Sequence, residues 1–167
     1  PNAAAAVSLA RLVLPAVREL AGRDVTVTIA GRYDPRGPVA ALAGLTGVRL
    51  PGYVDDLTKL YARATAVVAP LLSGSGTRIK LLEAFAHRVP VVTTPAGAAG
   101  LGVVSGVHLL IGAGEDDIVR HTMTTIRDLS LTKRLTDAAR RYVEAHHAAK
   151  VTSPIVSRFL RGGAYSP

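Results

Sequence analysis

The sequence predicts an α/β fold in which a parallel sheet carries helices on both faces. Segments rich in β-branched residues alternate with helical segments, a spacing typical of βαβ units with right-handed crossovers. Hydrophobic residues make up 49% of the chain and aromatic residues only 4%, which suits short buried strands under alanine-rich helices. Several predicted strands end at a glycine-containing turn, as in Rossmann-like domains. No internal repeat or low-complexity linker divides the chain, so we expect one Rossmann-like domain over residues 1–167.

The first half of the chain is predicted to form helix, strand, short helix and strand. Asn2 is a suitable N-cap for a long helix, and Ala21-Gly22 is a suitable end for it. The β-branched run that follows favours a strand. In order, the predicted elements are a helix over Ala3–Leu20, a strand over Val25–Ala30, a short helix near Pro38–Ala43 and a strand around Val48–Leu50.

The second half shows the same alternation more clearly. Asp55 and Asp56 are good caps for a short helix, and Glu115 with Asp116 opens the first of the C-terminal helices. The predicted elements are a helix through Ala62, a strand over Ala64–Pro70, a turn over Leu71–Gly76, a helix over Thr77–His87, a strand over Pro90–Thr94, a turn over Gly97–Gly102, a strand over Val107–Ile111, and helices over Asp117–Asp128 and Leu131–His146.

Composition argues against several classes of function. The chain has no cysteine and therefore neither a disulfide framework nor a thiolate metal site, which fits a cytoplasmic protein. No segment reaches the roughly 20 unbroken apolar residues of a membrane span. The net charge of +8 fits an anionic partner, including a membrane surface at the periphery, but the dispersed basic residues favour a solvated basic surface. Nucleic acid is not an expected partner, because the basic residues are dispersed and aromatic residues are few.

The turn after the third predicted strand is the best candidate for a functional site. It reads Ser73-Gly74-Ser75-Gly76-Thr77-Arg78, with Lys80 just beyond it. Such a turn presents unpaired backbone N–H groups and the positive end of a helix dipole, which together favour an anion. It lacks the Gly-Lys-Ser/Thr of a Walker A loop and the third glycine of the dinucleotide fingerprint. We therefore expect phosphate binding here, but not a nicotinamide cofactor.

Glu83 is the second candidate, and its role depends on how the following helix is rotated. By the spacing of about 100° per residue, Glu83 lies about 40° from Ile79, with Lys80 beside it. A carboxylate at the margin of a buried face needs a hydrogen-bonding partner. Two interpretations stay open: an ion pair with Lys80, or acceptance of hydrogen bonds from ligand hydroxyls. The face expected to meet the core consists of Ile79, Leu82, Phe85, Ala86 and Val89.

Several blocks of the sequence together resemble a known family. The order and spacing of these blocks are similar to the C-terminal domain of the GT-B glycosyltransferases of group 1 (family 4) type. The resemblance covers most of the chain, from about Pro1 to Val143. The blocks that carry it are Gly47–Asp56, Tyr61–Ala64, Val67–Pro70, Gly74–Ala84 and Pro90–Thr94.

The resemblance implies one half of a GT-B fold, in which the C-terminal domain binds a nucleotide-sugar donor across a cleft from a second domain. Transfer in the family is usually retaining and metal-independent. Glu83 matches the second glutamate of the family's Glu-x7-Glu motif, which binds the donor ribose. The implied donor-binding residues are Gly74, Ser75, Gly76, Thr77, Arg78, Lys80 and Glu83. The residues implied to lie near the base are Gly31, Arg32, Gly52, Tyr53 and Val54.

The sequence departs from the family pattern at several positions. Ser75 stands in place of the first glutamate of the motif, Ala99 in place of a common acidic residue, and Arg88 in place of a usual glycine. Many relatives carry a basic pair after the first strand of this domain, and that strand would lie before Pro1. Arg78 and Lys80 are then the expected phosphate partners.

The expected function is therefore donor binding in a hexosyltransferase-type enzyme with an unidentified acceptor. A non-catalytic nucleotide or nucleotide-sugar binding module is the alternative, because Ser75 replaces the glutamate. The sequence assigns no catalytic residue, and we expect neither a metal nor a cofactor besides the nucleotide-sugar substrate. Since the only methionine is Met123, we expect an excised domain that lacks its N-terminal acceptor-binding partner domain and is inactive alone.

Overall fold

Short parallel strands alternate with α-helices through residues 2–22, 24–73 and 78–147, the part of the chain that the structure, a computed structural model, describes. The strands are β1 (Val27–Ala30), β2 (Val48–Gly52), β3 (Val67–Ala69), β4 (Val91–Thr93) and β5 (Leu110–Ile111). The helices are α1 (Asn2–Ser8), α2 (Leu14–Ala21), α3 (Thr58–Arg63), α4 (Ile79–Ala86), α5 (Pro95–Ala98), α6 (Glu115–Arg127) and α7 (Leu129–His146). A 3-10 turn spans Ala40–Leu42.

The predicted N-terminal helix forms as α1 and α2, joined by a π-helical turn at Leu9–Val13. It ends where predicted, because Gly22 adopts φ 61°, a left-handed conformation that glycine takes without strain. Asn2 is the first helical residue of α1. Its side chain accepts a hydrogen bond from Lys80 Nζ at 2.8 Å. The start of the helix is thereby tied to α4.

The strands pair in parallel, as predicted, but the described residues form two sheets. β1 pairs with β2, with Val27 opposite Val48. The other sheet has the order β3-β4-β5, with Val92 opposite Leu110. The helical segment α1–α2 contributes buried residues to the clusters that pack on both sheets. This segment therefore holds the two sheets in one domain.

Helices cover both faces of the β3-β4-β5 sheet, as the fold class requires. Val91 is buried on one face with Phe85 of α4 and Ala139 of α7. Its neighbour Val92 points to the other face and packs with Val17 of α2 and Ile118 of α6. Successive residues of a strand point to opposite faces. Both β4 valines are fully buried, which makes β4 the centre of the hydrophobic core.

The predicted core face of α4 is only partly correct: Phe85 and Val89 are buried and Leu82 packs against the core, but Ile79 does not. Ile79 is 57% exposed, whereas Leu81 and Ala84 are completely buried. Phe85 is the one predicted face residue of this helix that is completely buried. The helix carries two apolar stripes that share Phe85, and its packing against α7 selects the stripe with Leu81 and Ala84. Glu83 therefore points away from this core.

Two local conformations differ from or extend the prediction. Residues 95–98 form the one-turn helix α5, which overlaps the start of the turn predicted over Gly97–Gly102, and Thr94 caps it by accepting a hydrogen bond from the Gly97 N–H at 3.1 Å. Arg88 has φ 57° and is the non-glycine residue with positive φ in the described chain. Glycine is favoured in that conformation, which gives a physical reason for the glycine that the family resemblance implies at this position. No helix in the described ranges is long and apolar enough to cross a membrane.

Candidate functional site

The turns after β1 and β2 are joined at the carboxyl ends of the two strands. The Gly31 N–H donates a hydrogen bond to the Gly52 carbonyl at 2.8 Å. Gly31 has φ 132° and Gly52 has φ 74°. Residues with a side chain rarely adopt these backbone conformations, so both turns depend on glycine. Ligands of open parallel sheets bind beyond the carboxyl ends of the strands. The structure thus brings two predicted base-proximal turns together at such an edge.

Arg32 and Tyr53 form a cation–π pair at this edge. The guanidinium carbon of Arg32 lies 4.8 Å from the centroid of the Tyr53 ring. Tyr53 is nevertheless 61% exposed, and the neighbouring Val54 is partly buried. An exposed aromatic ring with a cation against it offers a surface on which a planar group can stack.

Threonine hydroxyls join the carboxyl ends of β3 and β4 and the residues that directly follow these strands. Thr93 Oγ1 donates to the Ala69 carbonyl at 2.7 Å, and Thr94 Oγ1 donates to the Leu71 carbonyl. Both threonines are buried. The backbone that leads into the glycine-rich turn is therefore fixed by internal hydrogen bonds. Gly74, Ser75, Gly76 and Thr77 themselves lie outside the described residues.

Two cations lie at the start of α4. Arg78 Nη2 donates a hydrogen bond to the Ala96 carbonyl at 2.8 Å, so its guanidinium bridges to α5. Lys80 reaches Asn2 at the start of α1. Partial burial, and then the positive charge of Arg78, lower the pKa of Lys80 below its ordinary value. An anion between the two side chains would relieve that repulsion.

Glu83 is partly buried because Tyr61 of α3 covers it. Tyr61 Oη donates to Glu83 Oε2 at 3.0 Å, and the Tyr61 ring stacks on His87 with centroids 4.8 Å apart. The described residues show no ion pair between Glu83 and Lys80, so that sequence interpretation is wrong. Since α3 follows β2 and α4 follows β3, this contact connects the segment after the β1-β2 sheet to the segment after β3.

The chemical character of the edge follows from these groups. It combines cations at a helix start, a carboxylate held from one side, and a partly exposed aromatic ring. Within the described ranges, no three histidine or carboxylate side chains form a group that could hold a metal ion. Whether transfer requires a metal stays a prediction.

A family model described as glycosyl transferases group 1 matches residues 3–147 of the chain. The chain belongs to this family. One curated relative, an uncharacterized 44.6 kDa protein in the cps region of Klebsiella pneumoniae, is 25% identical over 96 residues. That alignment covers 58% of this chain and 25% of the relative. The family predicted from the sequence blocks is thus confirmed.

Solved structures of glycosyltransferases share the fold. A glycosyltransferase from Rickettsia africae gives a TM-score of 0.73 at 14% identity, covering 94% of this chain and 45% of that protein. Anabaena HepE, in complex with UDP and glucose, gives 0.73 at 20% identity, covering 90% and 44%. The C-terminal domain of LpcC from Francisella tularensis gives 0.66 at 18% identity, covering 85% and 80%. The fold is one half of the GT-B type, as expected, and this chain spans less than half of the first two proteins.

Sequence reasoning did not assign a role to Tyr61 or Thr94. Tyr61 lies in one of the blocks that carry the resemblance, but its contact with Glu83 joins residues 22 positions apart. Thr94 was placed only as the end of a strand. A threonine immediately before Pro95 at the start of a helix is a usable capping signal, whereas nothing local in the sequence indicates the partner of Tyr61.

Proposed function

We propose that this chain is the donor-binding half of a glycosyltransferase, with a nucleotide sugar bound at the loops that follow β1 to β4. The observation that carries the proposal is the grouping on α4, where Arg78 and Lys80 stand at the start and Glu83 follows one turn later. A nucleoside diphosphate presents complementary groups, since phosphates pair with cations and ribose hydroxyls donate to a carboxylate.

The Arg32–Tyr53 pair supports a position for the base. A nucleobase is planar and stacks well on an exposed aromatic ring. With the guanidinium already 4.8 Å from the ring centroid, Tyr53 is held in place before the base arrives. We propose that Gly31, Gly52 and Val54 shape this end of the site through their backbone.

Phosphate binding is proposed for the turn Gly74–Thr77 together with Arg78 and Lys80. Backbone N–H groups before a helix and the helix dipole favour an anion. The lowered pKa of Lys80, caused by burial and by Arg78, supports an arrangement in which positive charge awaits a negative partner. The complex of Anabaena HepE with UDP and glucose supports the same class of ligand.

Sugar transfer itself is proposed for the whole protein of which this chain is one part. We propose a retaining, metal-independent, hexosyltransferase-type reaction in the cytoplasm, with the acceptor held by an N-terminal domain. The +8 charge of this chain leaves peripheral contact with a membrane surface within the proposal. The chain alone is expected to bind the donor without turnover.

The test is thermal stability in the presence of UDP, GDP and ADP and of their sugar derivatives. A ligand at 100 times its Kd stabilises a protein by about 2.7 kcal/mol, which raises Tm by roughly 5–10 °C for a domain of this size. Matching nucleosides and inorganic pyrophosphate, which each offer only part of the ligand, should shift Tm less. If none of the nucleoside diphosphates or nucleotide sugars shifts Tm at millimolar concentration, donor binding by this chain is wrong.

The alternative function is a non-catalytic nucleotide or nucleotide-sugar binding module. It is favoured by Ser75, which replaces the first glutamate of the family motif. The two functions predict the same binding but different turnover. Release of nucleoside diphosphate from nucleotide sugars by the whole protein supports the enzyme, and tight binding without release supports the module.

A further inference from the structure

Tyr61 contacts Glu83 of α4 and, one turn further on, His87, the residue that follows the end of α4. Its hydroxyl donates to Glu83 Oε2 at 3.0 Å. Its ring lies nearly parallel to the His87 ring, with an interplanar angle of 10° and centroids 4.8 Å apart. Residues at i and i+4 share one face of a helix, so α3 places one side chain against a single stripe of α4. The stacking fixes the ring, and the fixed ring aims the hydroxyl.

The hydroxyl proton has one strong acceptor. The Lys80 carbonyl is also near Tyr61 Oη, at 3.4 Å, but the Glu83 carboxylate is closer and carries a negative charge. Hydrogen bonds to charged acceptors are the stronger ones. Burial and then the interaction with Glu83 raise the pKa of Tyr61 far above its ordinary value, so the phenol stays protonated and remains a donor.

This contact restrains a carboxylate that would otherwise move. Glutamate has several rotatable bonds and loses rotamer freedom when a ligand orders it, whereas tyrosine has two. Within the described residues Tyr61 is the side chain that donates to Glu83, and it uses Oε2. Among the described residues none donates to Oε1, which can therefore accept from ligand hydroxyls, with its direction set before the ligand arrives.

We propose that Tyr61 is a positioning residue for the donor ribose, acting through Glu83. The inference rests on the proposed function, because Glu83 meets a ribose only if a nucleotide binds at this edge. Tyr61 itself does not touch the ligand. It holds Glu83 in the rotamer that accepts hydrogen bonds from the two ribose hydroxyls, and it thereby sets the preference for a ribonucleotide.

A purely structural role for Tyr61 makes a different prediction. If the hydroxyl only joins α3 to α4, its removal lowers Tm but changes the affinity of every nucleotide by the same factor. The decisive quantity is therefore the ribose preference, the Kd of a 2′,3′-dideoxynucleoside diphosphate divided by the Kd of its ribose form. Both constants are measured on the same protein sample, so partial unfolding cancels from the ratio.

The experiment compares the full chain with Tyr61→Phe, which keeps the ring and its stacking on His87. UDP, GDP and ADP and their 2′,3′-dideoxy forms serve as probes in calorimetric titrations. We expect the ribose preference to fall roughly 2- to 10-fold, the worth of one net hydrogen bond, while the dideoxy Kd stays unchanged. Tyr142→Phe is the matched control, because it removes a hydroxyl that donates to the Leu101 carbonyl; it should leave the ribose preference intact.

Glu83→Gln completes a double-mutant cycle that separates the inference from the proposed function. If Tyr61 acts through Glu83, Tyr61→Phe should not lower the ribose preference further in the Glu83→Gln background. An unchanged ribose preference in Tyr61→Phe, with wild type preferring ribose, overturns the positioning role alone. If wild type binds the ribose and dideoxy forms equally, ribose recognition by Glu83 is wrong. If wild type binds none of these nucleotides, donor binding by this chain is wrong.

Discussion

Arg78 combines a structural hydrogen bond with a place in the proposed phosphate site. Its guanidinium donates to the Ala96 carbonyl at 2.8 Å, which ties the start of α4 to α5. A planar guanidinium with five N–H groups can hold a backbone carbonyl and still present charge to an anion. The sequence predicted only the second role. Lys80 differs, because its ammonium donates to the Asn2 side chain and not to a backbone carbonyl.

Arg78→Ala should therefore weaken diphosphate binding and lower stability together. We expect roughly a 10-fold or larger loss of nucleoside diphosphate affinity, since charge-assisted hydrogen bonds are worth about 1.5–3 kcal/mol. Affinity for the matching nucleoside should barely change. Titration calorimetry measures both affinities, and a melting curve measures the stability loss. Lys80→Ala is the control for stability and should lower Tm less; equal losses for nucleoside and diphosphate in Arg78→Ala would leave Arg78 with its structural role only.

Contacts between aromatic rings hold the C-terminal end of α7 in place. Tyr142 packs against His108 and His146, with centroids 5.2 and 4.7 Å away. His108 lies between α5 and α6, and its Nδ1 accepts a hydrogen bond from the Val104 N–H at 3.0 Å. Partial burial, and then the proximity of His146, lower the pKa of His108. This packing therefore favours an uncharged His108.

Acidification should consequently destabilise the fold between about pH 7 and pH 5. Burial and Arg120 also lower the pKa of His121. A histidine with a lowered folded-state pKa binds fewer protons in the native than in the unfolded state just below about pH 6.5, so stability falls as pH falls. Tm at pH 5.5 should be lower than at pH 7.5, and His108→Gln with His121→Gln should reduce the difference.

The titration of Asp56, Asp117 and Asp137 does not contribute to the difference in Tm between pH 7.5 and pH 5.5. Hydrogen bonds and nearby cations lower the pKa of these aspartates below the ordinary value. Their contribution to stability is lost only as pH falls below about 4, outside the range compared. If the double histidine variant loses as much Tm as wild type between pH 7.5 and 5.5, the packing around these histidines does not set the pH response.

At the scale of the whole molecule, more apolar residues are buried against the β3-β4-β5 sheet than against the β1-β2 sheet. The cluster around β3 and β4 includes completely buried Leu81, Phe85 and Leu109. The buried residues that pack on β1 and β2 are fewer and smaller. Alternate residues of both strands are exposed on the outer face. The smaller apolar burial means that opening the β1-β2 sheet costs less free energy.

Hydrogen exchange should resolve this difference. The amides of Val27 and Gly31 are bonded at the β1-β2 sheet, and those of Val67 and Gly112 at the larger one. We expect Val27 and Gly31 to exchange roughly 10-fold faster or more, because local openings release less buried surface than global unfolding. Exchange measured by NMR on the free chain provides the comparison. Equal protection of the two pairs would show that the sheets open as one unit.

Local patterns in the sequence determined which segments become helices and strands and where their turns fall. The capping at Gly22, the alternation of strands with helices, and the glycines at 31 and 52 depend on φ preferences and on residues a few positions apart. The cations at the start of α4 follow from the same local order. The family was recognisable from the sequence because the blocks that define it are local too.

Tertiary structure alone decided how α4 is rotated and what Glu83 contacts. Both apolar stripes of α4 satisfy the helical pattern, and only packing against α7 buries Leu81 and Ala84 in place of Ile79. Likewise, Lys80 is the near neighbour of Glu83 in sequence, but its ammonium bonds to Asn2 while Tyr61 donates to Glu83. Burial depends on the side chains that arrive from distant parts of the chain, and those contacts have no signature within one turn of helix.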